Sequence, residues 1–122
     1  MKLYYSHAMP LYGTIIEKNE KKQILETIPF VEIVDPGSYQ DNPEKRLGGM
    51  NYCLKLVDEC DAVAFSRFKG EITAGVGKEV NYAISRNVPV YEIKEGKLIN
   101  VKEPVEHLSL LETLELPGYR KY

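Results

Sequence analysis

Residues 61–93 read DAVAFSRFKGEITAGVGKEVNYAISRNVPVYEI, and this stretch decides the fold. Asp61-Ala62-Val63-Ala64-Phe65 is nearly all apolar, the pattern of a strand covered on both sheet faces. A loop rich in glycine and hydroxyls follows over residues 66–77. The spacing then predicts a helix from about Lys78 to Arg86 and a strand over Val88-Pro89-Val90-Tyr91-Glu92-Ile93. A connection of that length suits a crossover between parallel strands.

The same alternation extends towards the N-terminus. Residues 2–6 form a short β-prone strand, and a loop follows to Gly13. Thr14-Ile15-Ile16-Glu17 fits a capping box and opens a helix to about residue 27, with apolar Ile15, Ile16, Ile24, Leu25 and Ile28. Phe30-Val31-Glu32-Ile33-Val34 reads as a second strand, stopped by Asp35-Pro36-Gly37. Residues 38–46 read as polar loop, and Gly48-Gly49 leads into a helix from Met50 to Glu59.

Beyond residue 93, Lys94-Glu95-Gly96-Lys97 reads as a turn into a short strand over residues 98–101. One helical turn is expected around Leu108 to Leu114. The whole order predicts an α/β chain with an open parallel sheet of four to five strands and helices on both faces. Residues 1–122 are expected to form one domain, with its core over about 2–93 and a tail over about 102–122. Ligands in such sheets bind outside the carboxyl ends of the strands. Loops 6–13, 35–49 and 66–77 are therefore expected to meet at one site.

Composition narrows the function. The formal net charge of -2 shows no basic excess, which disfavours a polymeric nucleic acid as partner. No apolar run approaches the roughly 18 residues of a membrane span, and the opening residues do not read as a signal peptide. A cytoplasmic protein without a membrane partner is the expectation. Cys53 and Cys60 have neither CxxC nor metal spacing and read as buried free thiols. With His7 and His107 the two histidines, a histidine-rich metal site is not expected, and no metal or cofactor is assigned. A Ser-His-Asp hydrolase lacks its G-x-S-x-G elbow.

The segment from Gly70 to Ala83 carries the chemistry. A Walker A loop fails because Glu79, not Ser or Thr, follows Gly77-Lys78, and the dinucleotide fingerprint fails at Val80. What remains is a glutamate read as lying in the first turn of a helix at a strand's carboxyl edge. The positive helix end is expected to keep Glu79 ionised, ready to attack an anomeric carbon. The plainer reading is that the glutamate only complements the helix dipole.

Thr73-Ala74-Gly75-Val76-Gly77-Lys78-Glu79, followed by Ala83 and Val88-Pro89-Val90, resembles the signature of the nucleoside 2-deoxyribosyltransferase superfamily. It looks closest to the branch of 2'-deoxynucleoside 5'-monophosphate N-glycosidases. Leu3-Tyr4-Tyr5 resembles the family's opening strand, with Tyr4 the matching position and Tyr5 the alternative by slippage. Cys60-Asp61-Ala62-Val63-Ala64 resembles its Ala-Asp followed by an apolar strand, with Asp61 read as structural. The likeness spans roughly residues 2–93 and implies a Rossmann-like (flavodoxin-like) fold. It departs where the family carries an aspartate eight residues before the Ala-Asp pair: here stands Cys53, with Asn51 the nearest polar alternative and the loop acids Asp41 and Glu44 further off.

The resemblance implies cleavage or transfer at the N-glycosidic bond of a nucleoside or nucleoside 5'-monophosphate. Glu79 would attack C1', Tyr4 would position that carboxylate, and Thr73, Gly75 and Gly77 would cradle the 5' end. It also implies a homodimer or higher homo-oligomer whose subunits complete each other's sites, a role open to Tyr119–Tyr122. Ser6 and His7 face the expected site; His7 reads as an acid/base group, a phosphate ligand or a hydrogen-bonded loop histidine. Arg67 reads as a phosphate partner or a solvated charge. A non-catalytic nucleotide sensor of the same fold is the rival. A phosphoribohydrolase acting on cytokinin-like nucleotides is weaker, because its Pro-Gly-Gly-x-Gly-Thr loop is absent.

Overall fold

A computed structural model describes residues 1–119. Five strands form one sheet: β1 (Lys2–Ser6), β2 (Glu32–Val34), β3 (Ala62–Phe65), β4 (Val90–Lys94) and β5 (Lys97–Val101). Five α-helices accompany them: α1 (Ile15–Thr27), α2 (Pro43–Gly48), α3 (Met50–Asp58), α4 (Ala74–Ser85) and α5 (Leu110–Leu114). The strand order is β2-β1-β3-β4-β5, the flavodoxin-type order of a doubly wound sheet. The Rossmann-like α/β expectation is met.

Side-chain alternation along β1 and β3 separates the two halves of the core. Tyr4, Val63 and Phe65 face α3 and α4, where they pack with Leu56, Val57, Val76 and Val80. Leu3, Tyr5, Ala62 and Ala64 face the other way, onto Ile24 of α1 and Ile93 of β4. Each fully buried large side chain contributes roughly 1.5–3 kcal/mol, so strands apolar on both sides fit the centre of the sheet.

The expected open parallel sheet carries one antiparallel edge. β1 to β4 pair in parallel, but β5 runs antiparallel to β4, with Ile93 opposite Leu98. Glu95 and Gly96 both have positive φ, 50° and 77°. A two-residue turn of that kind matches hairpin twist and is far too short for a crossover.

Residues 38–46 are not all loop. Asn42 Oδ1 accepts from the Glu44 amide at 2.8 Å and Pro43 occupies the first position of α2. This is an ordinary helix start. The capping box at α1 is half formed. Thr14 Oγ1 accepts from Glu17 N at 3.4 Å, but the Glu17 carboxylate turns to the Gly13 amide. β2 begins at Glu32, because Phe30 is solvent-exposed with φ 66°.

The correction with most consequence concerns α4, which begins at Ala74 rather than Lys78. Gly75 and Gly77 are therefore helical, against a propensity cost of up to about 1 kcal/mol each. Packing overrides it. Gly77 seats His107 so closely that a Cβ there would overlap the imidazole, and the C-terminal segment lies along α4 on this contact. Residues 120–122, part of the tail assigned to subunit contacts, lie outside the described residues.

Candidate active site

Strands β1 and β3 end beneath the N-terminal half of α4, and period-two geometry sends Tyr4 and Ser6 to the same face of β1. Both meet Glu79, which is buried in the second turn of α4. The Tyr4 hydroxyl donates to Oε2 at 2.7 Å and the Ser6 hydroxyl donates to Oε1 at 2.6 Å. Tyr5 points the other way and donates to Glu20, which also accepts from Ser66 Oγ at 2.8 Å. The alternation thus assigns Tyr4, not Tyr5, to Glu79.

The electrostatics differ from the first-turn expectation. Helix-end charge falls off within the first turn, and Glu79 is the sixth residue of α4. Burial is the dominant influence and raises its carboxyl pKa. The hydroxyls of Ser6 and Tyr4, then the Cys53 thiol and the charge of His7, pull in the opposite direction. Burial and the neighbouring carboxylate push the Tyr4 phenol far upward, so it stays protonated and serves only as a donor to Glu79. The Cys53 thiol is likewise pushed up, first by burial and then by Glu79.

Glu79 forms part of the wall of a cavity of about 260 Å³. Aromatic and thioether surface comes from Tyr12, Tyr119, Met9 and Met50, with Ala8, Val76 and Cys53 beside them. Polar groups come from His7, Thr73, Gln40 and Lys45. Thr73 is only 2% exposed and its side chain makes no cap bond to α4. Lys45 donates to Pro36 O at 2.7 Å and to Gln40 Oε1 at 3.3 Å, with its ammonium 5.8 Å from the Tyr12 ring centroid.

His7 is held on every side. Its ring stacks on Tyr5 at a centroid distance of 3.8 Å, Nδ1 lies 3.1 Å from Tyr5 O, and Nε2 lies 2.6 Å from Glu17 Oε2. Donor atoms of His7, Glu17 and Asp35 all fall within 4.8 Å of one another, a grouping of metal-ligand types. Lys21 Nζ already pairs with Asp35 Oδ2 at 2.5 Å, which supplies the positive charge there.

The structure brings together Tyr4, Ser6, His7, Thr73, Gly75 and Glu79. Three other expected residues sit elsewhere. Asn51 is exposed on α3 and does not line the cavity. Arg67 pairs with Glu92 at 2.9 Å and donates to Gly70 O, outside the cavity. Gly77 faces His107 rather than a ligand. Asp61 ties strands together, accepting from the Lys2 amide at 2.8 Å. Cys53 and Cys60 are buried free thiols, with Cys60 pushed up to about 11 by burial.

Among the other cavity residues, Met9, Tyr12, Gln40 and Lys45 lie in the loops expected to meet there but were not singled out, Tyr119 comes from the tail assigned to subunit contacts, and Met50 was not anticipated. For Lys45 a signal existed: Asn42-Pro43-Glu44 is a helix start that lifts residue 45 out of the loop.

No family model and no curated protein matches this sequence. A solved structure of a conserved protein from Enterococcus faecalis V583 is similar, with a TM-score of 0.55 and 20% identity. The alignment covers 75% of this chain and 62% of that one, so the chain spans about 62% of its length. Likeness at that identity shows the fold alone. Among the described residues, no helix is long and apolar enough to cross a membrane.

Proposed function

We propose that this chain cleaves or transfers at the N-glycosidic bond of a nucleoside or nucleoside 5'-monophosphate, with Glu79 as nucleophile. One observation carries the reading. A buried carboxylate, both of whose oxygens accept from hydroxyls, forms part of the wall of a cavity that also presents aromatic and thioether surface. Flat apolar surface suits a heterocyclic base, and a fixed carboxylate suits an anomeric carbon that becomes positive in the transition state.

In this reading a Glu79 oxygen bonds to C1' as the C1'–N bond breaks. The bond's electron pair leaves with the base, which takes a proton from water. The hydroxide left behind, or a second base whose N–H proton it takes, then attacks C1', and the C1'–O bond breaks with its electron pair returning to the Glu79 carboxylate. Tyr4 and Ser6 orient the carboxylate. Thr73 and Gly75, at the start of α4, receive the 5' end, and Lys45 has a third N–H for an anionic group there.

A second reading, a nucleotide sensor without turnover, has its own support. Glu79 is the one carboxylate among the described residues lining the cavity, and Cys53 stands where the resemblance puts an aspartate. One experiment separates the two. The protein and its Glu79→Gln variant are incubated with nucleosides and 5'-monophosphates, following free base by chromatography and binding by calorimetry. Base release that Glu79→Gln abolishes while binding persists supports the enzyme. Binding without release in either protein supports the sensor.

A further inference from the structure

The C-terminal segment does more than trail from the sheet. Asn81 of α4 grips the Val105 backbone twice, donating from Nδ2 at 3.0 Å and accepting from Val105 N at 2.7 Å. Leu108 N donates to Ile72 O at 2.9 Å, and His107 lies against Gly77. Thr113, 1% exposed, accepts from the Ala74 amide at 2.9 Å, so the first amide of α4 is capped from α5. The chain then turns so that Leu116 and Tyr119 pack on Ala8, Leu11 and Phe68. The Tyr119 ring meets Phe68 edge-on at 5.9 Å and lines the same cavity as Glu79.

We infer that Tyr119 is a specificity-determining residue of its own chain's cavity, forming an aromatic face on which the ligand's heterocycle lies, and that Thr113 is the positioning residue that docks it. The inference rests on the nucleoside reading above and deepens it. A half-buried tyrosine anchored at one edge by Phe68 presents a pre-placed ring and loses little conformational freedom on stacking. The segment's hydrogen bonds to the rest of the described chain go to α4 or to the loop before it, and the Thr113–Ala74 bond ties the helix that leads to Tyr119 to the residue that follows Thr73. Tyr12, from the other side of the chain's topology, supplies a second ring to the lining. Stacking of this kind tolerates different bases but favours the larger purine face.

The test uses the full chain and four probes: the 5'-monophosphates of deoxyadenosine, deoxyguanosine, deoxycytidine and thymidine. Dissociation constants are measured in the Glu79→Gln background, and KM and kcat with Glu79 intact. Tyr119→Ala is expected to weaken binding about tenfold or more. The loss should be larger for the two purine nucleotides and should fall on KM, with Tyr119→Phe close to the parent. Thr113→Val should weaken all four by a similar factor, and Thr113→Ser should restore them. A Tyr119→Ala protein with a lower Tm but unchanged dissociation constants overturns the inference, since the ring would then be packing only. If the parent binds none of the four, the nucleoside reading itself falls, and the inference with it.

Discussion

The Tyr4 hydroxyl donates to Glu79 Oε2 across 2.7 Å, joining residues 75 positions apart in the chain. The bond exists because β1 is a central strand and α4 packs on the face that residue 4 presents. Burial keeps the phenol protonated, so the bond holds best when Glu79 is ionised.

Tyr4→Phe is therefore expected to leave the fold intact and to remove a donor that favours the Glu79 carboxylate. A hydrogen bond to a charged group contributes about 1.5–3 kcal/mol, which corresponds to roughly a tenfold to hundredfold loss of kcat/KM. The acidic limb of the pH–rate profile should also move to higher pH, because the proton on Glu79 becomes harder to remove. A profile that merely falls in height, with its limb unmoved, would count against Tyr4 acting through ionisation.

Glu79 should also weaken the fold at neutral pH. Burial raises its folded-state pKa above the ordinary 4.5, so the native chain binds this proton more tightly than the unfolded one. Its stabilising contribution is present below the ordinary carboxyl range and is lost as pH rises through the raised value. Glu79→Gln, which carries no charge, is expected to melt a few degrees higher than the parent at pH 7. The difference should close as pH falls below about 4.5. Parallel thermal melts across that range measure it.

The strands were legible because their chemistry is local. Ala62-Val63-Ala64-Phe65 is apolar on both faces, and the alternation of Leu3, Tyr4 and Tyr5 is enough to sort Tyr4 from Tyr5 once α4 is known to cover one side. The start of α4 was not legible. Two glycines in three positions favour a loop, and they become helical because His107, thirty residues beyond Gly77, packs on the space one of them leaves. That shift carries Glu79 out of the first turn and replaces a helix-end environment with a buried one. Arg67 was open between a phosphate partner and a solvated charge, and its half-exposed pairing with Glu92 on the next strand is a contact that no local pattern announces. Lys45 lay in a loop expected at the site but was not singled out, because the short helix α2 that orients it has a visible Asn-Pro start but little apolar periodicity in its six residues.

The two helical glycines should respond in opposite ways. At Gly75 a Cβ would meet only Met50 Cε, at 3.6 Å, an ordinary contact. Gly75→Ala is expected to stabilise by up to about 1 kcal/mol through helix propensity. At Gly77 the same Cβ would overlap His107, including its Cβ, which cannot swing aside without moving the backbone. Gly77→Ala is expected to destabilise by about 1–3 kcal/mol. Urea midpoints compare the two, and proteolysis over residues 102–119 should accelerate only in Gly77→Ala.

Lys45 is the one ammonium or guanidinium among the described residues lining the cavity, and its placement makes a graded prediction. Two of its donors are engaged by Pro36 O and Gln40 Oε1, which fix the side chain beside Tyr12. An anionic ligand group would accept the third, replacing solvent with a charge-assisted bond. Lys45→Met keeps most of the apolar stem and removes the charge. Affinity for a nucleoside 5'-monophosphate is expected to fall by about tenfold, while that for the matching nucleoside stays within about twofold. Raising salt should weaken the parent's monophosphate binding and leave the variant's nearly flat, because the lost term is the electrostatic one. Equal losses for nucleoside and monophosphate would instead mean that Lys45 shapes the cavity through Pro36 and Gln40 and does not read the anion.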